Sequence, residues 1–434
     1  MGPVQITGRQ PQIARTVEKP RNSIISPFLL LCGIGLFAIF SSTMSKNPAL
    51  PLFAKDLGAT EQYIGFIAAA STVVGILTSI PAGALSDLYG RRRVILAATF
   101  VFASAPFLYL FVSSPWQLAL VRVYHGLATA IFGPVAMALV SDLFKTGRGE
   151  SMGWYSSSTL LGRAAAPFVG GTLLTALAGS SAGGSGPWLG LTSYQWVYLV
   201  CGVAGIIAMG AATRLPVDNR TRGGATLGES WTKLRAGLGD VARSRPILVT
   251  SVMEALQYFS YGAMEAFLPL YAIFFVEPKL STIEVGTIFL AQILTTALTK
   301  PLMGRTSDRV GRRPVIALGL VLSGTSMALF VTTGSFPLLL GIGMLYGLGL
   351  SVVTSATSAY VSELAKAGHY GSALGVLSTI MDVGQSMGPI VTGFLVASAG
   401  YRPAFFFVAA LLLVGTAGFW FLAPRPSGER PLAG

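Results

Sequence analysis

Eight ionisable side chains lie inside long apolar stretches of this 434-residue sequence, where a charge is costly. At the centre of a bilayer a charged side chain costs about 2.5–3.5 kcal/mol on insertion scales, so it needs a partner, a water-filled cavity or a function. The eight are Lys46, Arg122, His125, Arg163, Glu254, Glu265, Lys300 and Asp382. A buried acid can take up a proton or a cation, and a buried base can hold an anion. All except Lys300 are therefore candidates for proton coupling or substrate binding.

Two of these residues also have a structural interpretation. Glu254 lies about seven residues, roughly 10 Å, into its apolar stretch. That depth suits a residue that gains and loses a proton, and a pairing with Lys300 or another base is an equally good alternative. His125 follows Arg122 by three residues and shares its helix face. Histidine titrates near physiological pH, but a polar packing role is the favoured interpretation.

The composition is that of a membrane protein. Hydrophobic residues make up 52% of the chain and charged residues only 11%, whereas soluble domains carry about 25% charged residues. Apolar runs of about 20 residues are long enough to cross the ~30 Å hydrocarbon layer as helices, and they lack the alternation of barrel strands. This predicts an all-α protein in a lipid bilayer, with no metal site or disulfide at Cys32 and Cys201 and no cleavable signal peptide.

Twelve transmembrane helices are predicted, six on each side of a long basic connection at 214–246. The connection either forms a short surface helix at Thr226–Val241 or is a flexible linker. The expected organisation is a tail at 1–22, helical bundles at 23–213 and 247–423, and a tail at 424–434. The spans are 25–45, 62–85, 94–113, 116–140, 152–178, 193–213, 247–275, 283–304, 314–333, 336–361, 372–398 and 402–423.

Lysine and arginine are concentrated in alternate loops. Of the 30, 23 lie in the tails, the central connection and the loops on their side, and 3 lie in the opposite loops. The positive-inside rule therefore places both termini in the cytoplasm of a multi-pass inner or plasma membrane protein. Because the basic residues are not gathered into one patch, the net charge of +13 does not predict a nucleic-acid partner.

One loop motif occurs twice. Gly83–Arg93 (GALSDLYGRRR) returns as Gly304–Arg313 (GRTSDRVGRR) after a shift of 221 residues, and further segments repeat with shifts of 218 to 222. Two related halves in the same orientation follow. The repeated spacing predicts a cytoplasmic latch in which a glycine allows close packing or a turn and an acid binds an arginine; simple loop topology is the alternative. Its residues are Gly83, Asp87, Gly90, Arg91, Asp142, Gly304, Asp308, Gly311, Arg312 and Glu363.

Along essentially its whole length the chain resembles the major facilitator superfamily of transporters. Gly83–Arg93 resembles the loop signature of that family, and Arg122–Gly126 resembles its arginine-bearing fourth-helix motif, with His125 where drug transporters usually have glutamine. Gly162–Gly171 resembles the fifth-helix motif of proton-driven antiporters, with Ala166 in place of the central glycine. The resemblance implies twelve helices in two pseudo-symmetric six-helix bundles around a central cavity, and it implicates Arg122 in proton coupling.

The superfamily fold implies partners for the buried charges. Spans one and seven would face each other across the cavity, which predicts an ion pair between Lys46 and Glu265 on the outer side, or two side chains that reach outer water separately. Spans five and eleven would flank the cavity, which predicts that Arg163 and Asp382 are halves of pairs between the bundles.

Two larger sets complete the expected site. Glycine and proline on spans five and eleven predict either bend points or packing seams: Gly162, Pro167, Gly170, Gly171, Gly384, Gly388, Pro389 and Gly393. Aromatic residues on spans one, four, seven and ten would make the cavity apolar if they face inward, but for each of them a position against lipid or another helix is favoured. They are Phe37, Phe40, Tyr124, Phe132, Tyr258, Tyr261, Tyr271 and Tyr346.

The expected function is secondary transport by alternating access, as a monomer without a cofactor, driven by a proton or other ion gradient. Efflux of drug-like or amphipathic small molecules is favoured. A symporter, uniporter or exporter of an organic anion or other metabolite is the alternative, with Lys46, Arg122 and Arg163 as anion ligands. Motifs of an intramembrane enzyme or of ATP-driven transport are not found in the sequence, and its tails are too short for the output domain of a sensor.

Overall fold

The computed structural model describes residues 26–144, 147–177, 190–216, 244–365 and 370–422. The predicted tails at 1–22 and 424–434 and the surface helix at Thr226–Val241 fall outside these ranges. Within them the chain is helical. The α-helices are α1 (Pro27–Met44), α2 (Ala49–Asp56), α3 (Glu61–Tyr89), α4 (Arg91–Leu108), α5 (Pro115–Leu143), α6 (Arg148–Leu177), α7 (Ser193–Ala212), α8 (Arg245–Phe274), α9 (Thr282–Val310), α10 (Arg312–Phe330), α11 (Phe336–Leu364), α12 (Tyr370–Ala399) and α13 (Tyr401–Leu422).

The first membrane segment is broken in two. The sequence predicts one span at 25–45 followed by a loop, but the chain turns after Met44 and resumes as the buried helix α2. Proline at position 48 cannot donate a backbone hydrogen bond, so a new helix starts after it. The corresponding Leu268–Ala272 segment of the second half stays inside the continuous helix α8.

Eleven segments of the described chain are long and apolar enough to cross a membrane, with α1 and α2 counted as one. The helix α8, at 30 residues, is not among them. It carries Glu254 and Glu265, and most of its residues are buried against other helices rather than lipid. Contacts with neighbouring helices replace contacts with lipid around this less apolar helix. With α8, the described chain has twelve membrane-spanning segments.

Caps and turns set the helix ends. Thr192 and Ser281 form capping boxes with Gln195 and Glu284 at the starts of α7 and α9. Gly90 and Gly311, with φ of 90° and 102°, make the sharp turns from α3 to α4 and from α9 to α10. Glycine is required there because other residues rarely adopt such φ values.

The helices form two bundles, α1–α7 and α8–α13. We name the membrane face with the turns at Gly90 and Gly311 the basic face, and the face with the connections 57–60 and 275–281 the distal face. Across the bundle interface α3 packs on α12 and α6 packs on α9. These two helix pairs are related by the sequence repeat, so the interface has pseudo-twofold symmetry about an axis along the membrane normal.

Candidate functional site

A cavity of about 510 Å³ lies between the bundles. It reaches from Lys46 toward the basic face, where Pro134 and Gly375 are part of its wall. Its charged lining residues are Lys46 and Arg163 from the first bundle and Glu265 and Asp382 from the second. Serine, threonine and glutamine supply much of the remaining wall: Ser42, Thr43, Ser71, Thr72, Thr129, Ser378, Thr379 and Gln385.

The predicted ion pair between Lys46 and Glu265 is not formed. Both residues line the cavity, but the salt bridges among the described residues, all within 4.0 Å, do not include this pair. Asn47 takes the position instead, and its Nδ2 donates to Glu265 Oε1 at 2.7 Å. Lys46 and Asn47 both lie in the turn between α1 and α2, and of the two it is Asn47 that contacts Glu265.

Arg163 and Asp382 also line the cavity from opposite bundles, as predicted, without pairing. Among the described residues, no hydrogen bond or ion pair involves the side chains of Lys46, Arg163 or Asp382. Lys46 is near enough to Glu265 and Asp382 for electrostatic attraction, but at hydrogen-bond distance these two bases and one acid are open to solvent, ions or a ligand.

A second, much smaller cavity of about 20 Å³ lies on the distal side of the first. Its polar lining residues are Lys46, Asn47, Thr72, Arg122, Glu265 and Gln385, and the rest of its wall is apolar. Its volume and polar wall can hold a single water. A water at this position would connect Arg122 to Glu265.

Arg122 is 1% exposed and is held inside the first bundle. Its NH2 donates to Ser71 Oγ at 2.6 Å, and its NH1 donates to the hydroxyl of Tyr109 at 3.4 Å. Gly126 makes this possible, because a Cβ there would overlap the backbone of Ser71. Close approach of α3 and α5 thus brings a serine to the buried guanidinium.

His125 is buried behind Arg122, away from both cavities. Its Nδ1 lies 3.4 Å from the Tyr109 hydroxyl, and its ring packs edge-on against Phe102 and Tyr109. This geometry agrees with the packing role favoured from the sequence.

Glu254 lines neither cavity. It is 3% exposed, between α8 and α11, where the hydroxyl of Thr357 donates to its Oε2. Lys300 acts on Glu254 electrostatically, but the two form no ion pair within 4.0 Å, and none of the ion pairs in the described chain contains either residue. The three candidate acids are therefore in two different environments.

The distal halves of the bundles are packed together through glycine. Added Cβ atoms at Gly65 and Gly286 would overlap the backbone of Pro389 and Pro167 in the other bundle. Around Gly171, Thr282 Oγ1 donates to its carbonyl at 3.0 Å and lies 2.7 Å from Thr175 Oγ1. The distal face is therefore closed.

In this conformation the glycines of the predicted bend motifs pack closely on neighbouring segments, four in their own bundle and two across the interface. On α6, Gly162 and Gly170 lie against α1 or the chain that follows it, and Gly171 lies against α9 of the other bundle. On α12 the repeat does the same: Gly384 and Gly388 lie against α8, and Gly393 lies against Glu61 of the other bundle. Both helices run through their prolines without interruption.

The Major Facilitator Superfamily model matches residues 31–278 and 259–434. The chain belongs to this superfamily. The chain is 24% identical over 394 residues to an uncharacterized MFS-type transporter of Methanocaldococcus jannaschii. The match covers 90% of this chain and 94% of the relative. The quinolone resistance protein NorA of Staphylococcus aureus is also 24% identical, over 85% of this chain and 87% of its own length.

Solved structures of the superfamily share the fold. The nucleoside transporter NupG has a TM-score of 0.74 at 15% identity and covers 92% of this chain and 99% of its own. A bacterial homologue of the human lysosomal transporter Spinster, solved in an inward-facing and unoccupied conformation, has a TM-score of 0.75 at 17% identity and covers 92% and 96%. The chain is thus a multi-pass membrane transporter with an alternating-access fold, and not an enzyme.

The superfamily's loop signature forms a charge cluster in each bundle. Arg91 Nε lies 3.2 Å from Asp142 Oδ2, and its NH1 donates to Ser86. In the second bundle Arg312 NH2 lies 2.5 Å from both Asp308 and Glu363. The side chain of Asp87 and the surroundings of Gly83 lie outside the described residues. The described contacts join residues of the same bundle, and the role of the clusters as a latch stays a prediction.

The expectation that Gly304 supports close helix packing is wrong in this conformation, because a Cβ there would meet no atom within 4 Å. The glycine faces open space at the basic end of α9. We expect a close contact at Gly304 only in a conformation in which the basic ends of the two bundles approach each other.

Most of the candidate aromatic residues do not line the cavity but pack inside the protein, which is close to the interpretation favoured for each of them from the sequence. Of the predicted residues only Tyr258 and Tyr261 line the cavity. The others pack elsewhere: Phe37, Phe40 and Phe132 in the hydrophobic cores, Tyr124 on Ser104, Tyr271 on the Val331 carbonyl and Tyr346 on Ser260. Periodicity on a helix does not tell a cavity face from a packing face, and here the cavity face is polar.

Proposed function

We propose that this transporter exports drug-like, amphipathic molecules from the cytoplasm in exchange for protons. The observation that carries the proposal is the cavity between the bundles, which lies on the basic side of a closed distal face. Among the described residues, the side chains of Lys46, Arg163 and Asp382 in this cavity form no hydrogen bond or ion pair. With the basic face in the cytoplasm, as the positive-inside rule predicts, this conformation is the one that accepts a cytoplasmic substrate.

Protons and cationic substrates would compete for the cavity acids Glu265 and Asp382. Asn47 donates to Glu265 across the interface, and a hydrogen bond to a carboxylate is stronger than one to a neutral acid. A proton on Glu265 therefore weakens the link that joins the bundles at the distal end of the cavity, and an amine competes with Asn47 for the same carboxylate. Loading of the site and opening of the distal face become coupled in this way.

Glu254 would provide a second proton site, separate from the substrate. Its carboxyl group joins α8 to α11 through Thr357, so a change of its protonation alters packing inside the second bundle. Arg122 would act on Glu265 through the small cavity that both line. The likeness to the quinolone resistance protein supports efflux as the direction.

An organic-anion exporter is the second candidate. Lys46 and Arg163 favour it, because both are positive, line the cavity and have no described ion-pair partner.

A transport assay in proteoliposomes with an imposed pH gradient separates the two. Cationic dyes and organic anions are tested in both gradient directions. Outward movement of a cationic dye that is driven by inward proton flow supports the proposal. Transport confined to anions contradicts it. The empty liposome and the Glu265→Gln variant are the controls for leak.

A further inference from the structure

The charged groups of the main cavity are sorted by bundle. Lys46 and Arg163 come from the first bundle, and Glu265 and Asp382 come from the second. Among the described lining residues, every base belongs to the first bundle and every acid to the second. The cavity thus has a positive wall and a negative wall that face each other.

The two walls attract each other across the cavity but form no described ion pair within 4.0 Å. One oxygen of Glu265 accepts from Asn47, which leaves the other oxygen available. Charges withdrawn from bulk water are costly unless they are paired and hydrogen-bonded. A ligand with both charges would satisfy the two walls at once, whereas a ligand with one charge leaves the other wall uncompensated.

Building on the transport function proposed above, we propose that the preferred substrates are dipolar molecules with an anionic group and a protonated amine at opposite ends. The carboxylate or similar anion would bind Arg163 and Lys46, and the amine would bind Asp382. The cavity volume of about 510 Å³ suits a small molecule of this kind. Tyr258 and Tyr261, whose ring centroids are 6.0 Å apart, offer a flat surface for an aromatic middle.

Such a ligand also contacts both bundles. Its anionic end would be held by the first bundle and its cationic end by the second, so it favours approach of the two walls. A purely cationic molecule would be held by the second bundle alone. Dipolar substrates would therefore promote the conformational change more strongly than singly charged ones.

Equilibrium binding to the purified full-length protein in lipid nanodiscs tests the proposal with three matched probes. These are a piperazinyl quinolone carboxylic acid, its methyl ester, which is only cationic, and its N-acetyl derivative, which is only anionic. We expect the parent to bind about tenfold more tightly than either derivative, as for the loss of one hydrogen bond to a charged group. Arg163→Gln should lower the affinity for the parent to that for the ester. Asp382→Asn should lower it to that for the N-acetyl derivative.

Controls separate charge from folding. Arg163→Lys and Asp382→Glu keep the charges and should restore the preference for the parent. Lys55→Gln removes a base that pairs with Glu61 at the distal face, 2.6 Å away, and should leave the order of affinities unchanged. An ester that binds as tightly as the parent, or an Arg163→Gln variant that weakens parent and ester alike, would overturn the proposal.

Failure of this inference is distinguishable from failure of the transport function. Proton-driven export of a permanently cationic dye, measured in the same preparation, tests transport alone. Dye export together with equal affinity for all three quinolone probes would contradict the dipolar preference and leave the proposed function intact.

Discussion

Asn47 of the first bundle donates a 2.7 Å hydrogen bond to Glu265 of the second. The contact lies at the distal end of the main cavity, next to the small cavity that Arg122 also lines. The contact therefore links Glu265, which can hold a proton or a cation, to the packing that closes the distal face. We expect closure of that face to depend on the state of Glu265.

A disulfide across the distal seam should trap the distal-closed conformation. Thr175 and Thr282 belong to different bundles, and their Oγ1 atoms are 2.7 Å apart. In a background with Cys32→Ser and Cys201→Ala, the pair Thr175→Cys and Thr282→Cys should cross-link under mild oxidation and stop transport. A reductant should restore it. Each single cysteine variant is the control, and continued transport by the cross-linked protein would contradict a moving distal seam.

Loss of the Asn47 hydrogen bond should loosen the distal face. Asn47→Ala removes a bond to a charged group, which contributes about 1.5–3 kcal/mol. The rate of the Thr175–Thr282 cysteine cross-link should therefore fall about tenfold or more. Lys55→Gln, which removes a nearby ion pair within the first bundle, should leave the rate unchanged. Equal rates for Asn47→Ala and the parent would show that the bond does not control closure.

Large residues at two glycines should shift the conformation in opposite directions. Gly65 lies against Pro389 across the closed seam, whereas a Cβ at Gly304 would meet nothing within 4 Å. Gly65→Leu should open the distal face and slow the same cross-link, because overpacking costs about 1–3 kcal/mol. Gly304→Leu should fit this conformation and obstruct closure of the basic face, so transport falls while the cross-link still forms.

Gly33→Ala is the matched control for both glycine variants, since its surroundings are also open within 4 Å. It should change neither the cross-link nor transport. A Gly304→Leu variant that transports normally would contradict the expected approach of the bundles at the basic face.

Glu254 and Asp382 should have separable roles. Asp382 lines the cavity and Glu254 does not. Asp382→Asn should weaken binding of a cationic dye. Glu254→Gln should keep dye binding and lose most of the transport that a pH gradient drives. Dye affinity of the parent should also fall as the pH is lowered, because protons compete for the cavity carboxylates. Normal gradient-driven transport by Glu254→Gln would remove Glu254 from the proton pathway.

Much of the fold could be predicted from the sequence because membrane insertion and repetition leave strong patterns. Apolar length gives the spans, and the shift of 221 residues relates the halves. The charge clusters at Arg91 and Arg312 were also expected, since an acid and an arginine recur at fixed spacing. The helix α8 is less apolar than this pattern requires, and protein contacts replace lipid around most of it.

The finer features of the site depend on side-chain direction, which helical periodicity does not give. A turn after Met44 places Asn47, rather than Lys46, on Glu265. Tyr346 is a core residue bonded to Ser260, although its helix was expected to line the cavity. The glycine seam could have been found, because Gly65 and Gly286 occur at equivalent positions of the repeat and so do Pro167 and Pro389.

Proton movement driven by a substrate gradient is the most direct test of the central claim. Proteoliposomes with a cationic dye inside and a pH reporter in the lumen are diluted into dye-free buffer of the same pH. Exchange of protons for dye predicts that the lumen becomes acidic as the dye leaves, and that Glu265→Gln lowers both signals. Dye efflux with no pH change, or with a lumen that becomes alkaline, would contradict proton-coupled export.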